Sequence, residues 1–245
     1  MDKQTLNMPT PEANGWVKTM NNMGFMTPTL DVFSQAFVEF SLQAPGEVVD
    51  IGAAYGVATL AALERGATVI ANDVDSRHLE ILAERAGPHE DRLTVISGAF
   101  PNELDFMPGS VGAILICRVL HFFDGATIEQ SIQKLSRWLA PGGKVFIVAE
   151  TPFLKNFKTF IPVYESRIQS GATWPGFVED VMAIDPVRGV ALPKQMHLLD
   201  PTVLSQVLTK NGFVIEKAET FARPEFPLDL QLDGRESVGV IARKV

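Results

Sequence analysis

The chain has 245 residues, 46% hydrophobic and 20% charged, so it can bury a sizeable core and global disorder is excluded. Its 21 Lys and Arg against 29 Asp and Glu give a net charge of -8, which argues against a protein whose main task is gripping nucleic-acid phosphate. One cysteine, Cys117, excludes an intramolecular disulfide and a zinc site of several thiolates, and fits a reducing, cytoplasmic location. Along residues 1–46, Thr27-Pro28 predicts a helix start, followed by Val32, Phe33, Ala36, Phe37 and Phe40 at helical spacing. Residues 47–150 alternate strand and helix signals. Strands are predicted at 48–51, 68–72, 93–97, 112–117 and 144–150. The first helix between them spans 57–64; the second is capped by Asp75 or Ser76; the third starts at Thr127, paired with Gln130 as a capping box. Continuously apolar strands alternating with helices imply a parallel sheet covered on both faces.

Residues 151–199 break this rhythm with five prolines and a set of aromatic residues, and are too long for a simple connection. They predict a helical insertion. Asp200-Pro201 then opens a helix that Asn211-Gly212 closes, and two strands follow, joined by a loop too short for a covering helix and therefore antiparallel. The longest apolar stretches, such as residues 111–117, fall far short of the ~20 residues a bilayer span needs. Mean hydropathy is +0.13. The opening residues MDKQTLNMPTPEANG carry no apolar signal-peptide core. The expectation is one domain over 1–245, with a helical lid segment at 1–46 and a helical substrate insertion at 151–199.

The loop Asp50-Ile51-Gly52-Ala53-Ala54-Tyr55-Gly56 joins the first strand to the first of the alternating helices. Glycine and alanine there let a ligand approach the backbone, and the helix points its positive end at that ligand. The nicotinamide fingerprint fails at Ala54 and Val57, leaving Asp-x-Gly-x-x-x-Gly. At the end of the second strand, at nucleoside-site spacing, stands Asp73, whose two oxygens can accept both ribose hydroxyls. Asp75 is its rival, better placed as a helix cap.

VVDIGAAYGVATL (48–60), VIANDVD (69–75), ILICRVLHFF (114–123) and LAPGGKVFIVAE (139–150), in order and in register, resemble a class I S-adenosylmethionine-dependent methyltransferase. KNGFVIEKAET (210–220) fits the same family's late helix-to-strand turn. The resemblance implies a Rossmann-like, seven-stranded, mostly parallel α/β sheet with helices on both faces and the last strand antiparallel. It implies S-adenosylmethionine as methyl donor and S-adenosylhomocysteine as product. Asp50, Gly52 and Gly56 would shape the methionine end, the small Ala53 would let the cofactor approach the backbone, Asp73 would hold the ribose and Val74 would pack on the adenine. Ala99 and Phe100 follow Gly98 where the family often places an acidic residue, and offer the adenine only backbone bonds and apolar contact. Cys117 and Arg118 would lie beside the methionine moiety.

His121, after the fourth strand, is a candidate base or a structural histidine, and Glu150 a candidate base or a partner of Arg118. Phe25, Tyr164 and Trp174 are candidate substrate-pocket residues. Cys117 lacks the Pro-Cys context of cytosine methyltransferases and reads as structural. His78 and His89 read as solvated, and His197 is unassigned. No cluster has metal-ligand spacing, so no metal is expected. The function expected is methyl transfer to a small, partly apolar acceptor by in-line displacement. The alternatives are a protein side-chain methyltransferase, a nicotinamide oxidoreductase and a catalytically silent S-adenosylmethionine-binding protein. Nucleic-acid and membrane partners are disfavoured, and the oligomeric state is open, a homodimer included.

Overall fold

The computed structural model describes residues 6–245. The first five residues, where the lid segment and the opening sequence begin, lie outside the described residues. Seven strands form one sheet: β1 (Glu47–Ile51), β2 (Val69–Asp73), β3 (Leu93–Ser97), β4 (Val111–Cys117), β5 (Leu139–Glu150), β6 (Phe213–Phe221) and β7 (Ser237–Lys244). Their order is β6-β7-β5-β4-β1-β2-β3. The strands from β3 to β5 pair in parallel, while β7 inserts between β5 and β6 and runs antiparallel to both. The chain order reverses between β1 and β4, where open α/β sheets place their ligands beyond the carboxyl ends of the strands.

Helices α1 (Val32–Phe40), α2 (Val57–Glu64) and α3 (Ser76–Ala86) precede the crossover; α4 (Gly125–Trp138) and α7 (Pro201–Lys210) cover the other face. Phe37, Val38, Ala62 and Leu63 pack on Val48, Leu115 and Phe146. On the opposite side Ile128, Ile132, Leu135 and Leu204 meet Ile114, Ile116, Val145 and Ile147. The strand side chains alternate between the two layers, so β4 and β5 are apolar at nearly every position. At the edge, β3 is only partly covered and Val95 stays 42% exposed.

Local capping corrects several expected boundaries. Asp31, not Thr27, starts α1: its Oδ1 accepts from Phe33 and Ser34 N–H at 2.9 and 3.0 Å. Asp124 replaces the Thr127–Gln130 capping box, since Thr127 N–H donates to Asp124 Oδ1 at 2.8 Å. Strand β5 begins at Leu139 rather than 144; its register against β4 jumps from Val111↔Leu139 to Ala113↔Lys144, so the Pro-Gly-Gly stretch bulges out of the ladder.

The two flanking segments are less helical than their compositions suggested. Residues 6–31 contain no helix; Val17–Lys18 and Phe25–Met26 form a two-residue antiparallel ladder. Residues 151–199 contain α5 (Ile161–Gln169), the short α6 (Val181–Ile184), two 3-10 turns and a second small ladder, Phe177–Val178 with Met196–His197. They build a core of their own from Leu154, Phe157, Phe160, Tyr164 and Val181, joined by Trp16 and by Phe226 and Leu230 of the β6–β7 loop.

Candidate active site

The loop after β1 turns through left-handed backbone at Gly52 (φ +74°), Ala54 (φ 46°) and Gly56 (φ +85°). Gly52 and Ala53 donate to Asn72 O at 2.8 and 2.9 Å, which ties the loop to the end of β2. A Cβ at Gly52 would lie 2.3 Å from Val119 Cγ2. Behind the loop, the buried Asp50 accepts from Thr59 Oγ1 at 2.7 Å. Its burial, reinforced by the nearby Asp73 and opposed by the Thr59 bonds, pushes its pKa up to about 6.

Asp73 closes β2 and is almost fully engaged. Its Oδ2 accepts from Ala54 N–H at 2.9 Å, and its Oδ1 from Asp75 N–H at 2.9 Å and from His78 Nδ1 at 3.0 Å. Met20 N–H donates to His78 Nε2 at 2.9 Å, so the imidazole must carry its proton on Nδ1. His78 is therefore a buried link and not a solvated helix residue. One acceptor position is left on Asp73, at Oδ2. Asp75 is spent on capping α3 and on Arg77, and does not line the cleft.

A cleft of about 330 Å³ opens over these carboxylates. Residues 16–30 form its outer wall through Thr19, Asn21, Met23, Phe25 and Met26. Their backbone is held from below at four points. Tyr55 Oη donates to Lys18 O at 2.9 Å, Arg77 Nη2 to Met20 O at 3.0 Å and Arg118 Nη1 to Phe25 O at 3.1 Å; the fourth is the Met20–His78 bond. Asp31, Asp50, Asp73 and Arg118 all line the cleft, while Val74, Ala99 and Phe100 supply apolar wall. Three carboxylates against one guanidinium suit a ligand of net positive charge.

A second chamber of about 210 Å³ shares Met23, Phe25, Arg118 and Phe122 with the first. Arg118 stands between the two in a left-handed conformation (φ 61°), a strained backbone of the kind that functional sites hold. Its Nε donates to Glu150 Oε1 at 2.6 Å, and its guanidinium lies 5.6 Å from the Trp16 ring and 5.4 Å from that of Phe226. Glu150 Oε2 accepts from Ser237 Oγ at 2.9 Å, and Ser237 Oγ accepts from the buried Arg223 at 3.2 Å. Burial disfavours the Glu150 carboxylate, yet Arg118 and Arg223 together hold its pKa below the usual value. His121, also in the chamber wall, is pushed down to about 4 by burial, so its imidazole is neutral.

Nine of the ten candidate cofactor residues (Asp50, Gly52, Ala53, Asp73, Val74, Ala99, Phe100, Cys117 and Arg118) line the larger cleft. Gly56 does not; it turns the chain against α3. His121, Glu150 and Phe25 line the second chamber. Tyr164 and Trp174 line neither. Tyr164 donates to Asp200 Oδ2 at 2.9 Å inside the insertion core, and Trp174 packs on His197 at 5.1 Å. Cys117 is half-buried in the cleft wall, and desolvation pushes its thiol pKa up to about 12, which leaves it no nucleophilic character. Phe157, one of the insertion phenylalanines weighed for an aromatic pocket, does line the second chamber; Trp16, Asn156 and Phe226 were not singled out from sequence, because no local pattern announces side chains that converge from three distant segments. Among the described residues no cluster of His, Cys, Asp or Glu could hold a metal ion, and no helix is long and apolar enough to cross a membrane.

A sequence profile of the methyltransferase domain matches residues 48–143. No curated protein matches the chain. Many solved structures share its fold. An S-adenosylmethionine-dependent methyltransferase from Methanosarcina mazei superposes with a TM-score of 0.64 at 17% identity, covering 89% of this chain and 99% of that one. One from Mesorhizobium loti gives a TM-score of 0.60 at 19% identity over 87% and 98%. The 1,6-didemethyltoxoflavin-N1-methyltransferase of Burkholderia thailandensis, solved with bound 1,6-didemethyltoxoflavin and S-adenosylhomocysteine, gives 0.58 at 17% over 87% and 79%. The chain therefore carries a methyltransferase-domain match over residues 48–143 and shares its seven-stranded fold with S-adenosylmethionine-dependent methyltransferases.

Proposed function

We propose that the chain methylates a small, partly apolar molecule, with S-adenosylmethionine in the larger cleft and the acceptor in the second chamber. The observation that carries this reading is the shared wall of Met23, Phe25, Arg118 and Phe122, which joins a carboxylate-lined cleft to a mostly apolar chamber. The donor supplies a methyl group on a sulfonium centre that is already an activated leaving group. Asp73 offers the ribose its remaining Oδ2 position, and the Ala54, Asp75 and His78 bonds hold that oxygen in place. Val74, Ala99 and Phe100 flank the adenine; Asp31, Asp50 and the open backbone at Gly52 face the cationic methionine end. Residues 16–30 and the insertion exclude water, and the protein's main task is to align an acceptor lone pair with the methyl carbon.

Glu150 serves here as the anchor of Arg118 rather than as a base, since two cations hold it ionised and both its oxygens are bonded. A His121 with lowered proton affinity is better suited to hydrogen-bonding the acceptor than to taking its proton. The reducing, cytoplasmic location read from the single cysteine belongs to this proposal.

Isothermal titration with S-adenosylhomocysteine tests the reading. The native protein should bind, and Asp73→Asn should bind at least about tenfold more weakly, because an amide cannot reproduce a carboxylate's charge-assisted bonds. No binding by the folded native protein would sink the proposal. Unchanged affinity in the variant would show that Asp73 does not carry the ribose contact. Binding with no turnover over a broad acceptor panel would identify a silent binding protein.

A further inference from the structure

The second chamber is lined by three residues that each carry a buried polar atom with no partner among the described residues: Trp16 Nε1, His121 Nδ1 and Asn156 Oδ1. The other two such side-chain atoms both belong to His197, which lines neither cavity. Trp16 comes from the N-terminal wall, His121 from the turn after β4 and Asn156 from the insertion. Native proteins rarely leave buried donors and acceptors unpaired, and three around one chamber point to a ligand that pairs them.

Two of these atoms have a fixed hydrogen-bonding sense. The indole Nε1–H can only donate. Asn156 Nδ2 donates to Asp185 Oδ2 at 2.9 Å, and because that carboxylate oxygen only accepts, the amide is locked with Oδ1 turned away from it. The His121 ring is neutral and offers Nδ1 in either sense. Charges at the chamber come in opposite pairs: Arg118 with Glu150 at 2.6 Å, and Arg188 with Asp229 at 2.8 and 3.0 Å. A charged acceptor would therefore enter with no counter-ion to spare. The remaining wall is apolar, with the rings of Trp16, Phe25, Phe122, Phe157 and Phe226 interspersed with aliphatic side chains such as Leu154 and Leu192, around a space smaller than the cofactor cleft.

We infer that the acceptor is a neutral aromatic or heteroaromatic ring compound that takes a hydrogen bond from Trp16 and gives one to Asn156. This rests on the reading of the chamber as the acceptor site. Trp16 and Asn156 then determine specificity, since an analogue lacking either group would leave a buried atom unpaired.

The probes are hydroxyquinolines with the hydroxyl on the carbocyclic ring, each pairing a donor with a ring-nitrogen acceptor. Naphthalene, 2-naphthoate and octanol are the comparison compounds. Each is titrated into the full chain saturated with S-adenosylhomocysteine. At least one hydroxyquinoline should bind about tenfold or more tightly than naphthalene, and 2-naphthoate and octanol should be weaker still. Trp16→Phe and Asn156→Leu should each weaken the hydroxyquinoline about tenfold, while naphthalene and S-adenosylhomocysteine bind within twofold of native. Tightest binding of the naphthoate or of octanol would overturn the inference, as would equal losses for hydroxyquinoline and naphthalene in both variants. Failure of every ring compound in a protein that binds S-adenosylhomocysteine overturns the acceptor class alone. Failure to bind S-adenosylhomocysteine overturns the cofactor reading beneath it.

Discussion

Gly52 and Gly56 look equivalent in the sequence motif, but their surroundings assign them different work. Gly52 lines the cleft, whereas a Cβ on Gly56 would stand 2.0 Å from Leu82 Cδ1 of α3. Gly56→Ala combines a left-handed backbone with overpacking, so it should lower unfolding free energy by about 2–4 kcal/mol. Denaturant unfolding measures that loss. The protein that remains folded should bind S-adenosylhomocysteine with native affinity, and a selective loss of binding without loss of stability would return Gly56 to the cofactor site. At this scale the motif residues Asp50, Gly52 and Asp73 were legible because their spacing fixes them at strand ends. His78 was not, since its partners Asp73 and Met20 lie 5 and 58 residues away, and the second contact is invisible to any local pattern.

Strand and helix order could be read almost completely, because apolar periodicity within β1 to β5 is set by two-sided burial. The flanking segments could not. Their apolar residues serve two cavities and a small separate core, so no helical period develops in residues 6–31, and only one α-helix longer than a single turn forms in 151–199. The wall of residues 16–30 is instead fastened to the sheet by side chains that reach its backbone. His78 is the most consequential fastener, since one ring joins Met20 N–H to the Asp73 carboxylate. His78→Leu keeps the bulk and removes both bonds. Amide exchange at Met20 should then rise at least about tenfold while β4 and β5 keep their protection. S-adenosylhomocysteine affinity should fall several-fold as Asp73 loses its orienting donor. Native exchange at Met20 in that variant would mean that the Tyr55, Arg77 and Arg118 bonds fasten the wall without it.

Across the whole molecule, three buried groups couple folding to pH in opposite directions. Burial lowers His121 and His197 from 6.5 to about 4, so the unfolded chain holds two protons at pH 5 that the folded chain does not. Their contribution to stability is therefore lost as pH falls from 6.5 toward 4. Burial raises Asp50 from 3.8 to about 6, so here the folded chain holds the extra proton, and its contribution to stability is lost as pH rises through 6. At pH 5 these groups leave a net excess of about one proton in the unfolded state, so they make stability climb with pH by roughly 1.4 kcal/mol per unit. Asp50→Asn removes the opposing proton. The variant's slope near pH 5 should be steeper than native by roughly 1.4 kcal/mol per unit, and above pH 6 the variant should be the more stable, by up to roughly 3 kcal/mol. Denaturant titrations of both proteins at pH 5, 6 and 8, without ligand, read the slopes directly. Parallel curves would show that Asp50 ionises in the fold as it does in the open chain. In that case the Thr59 hydroxyl, rather than a shared proton, offsets the burial of the carboxylate beneath the cofactor loop.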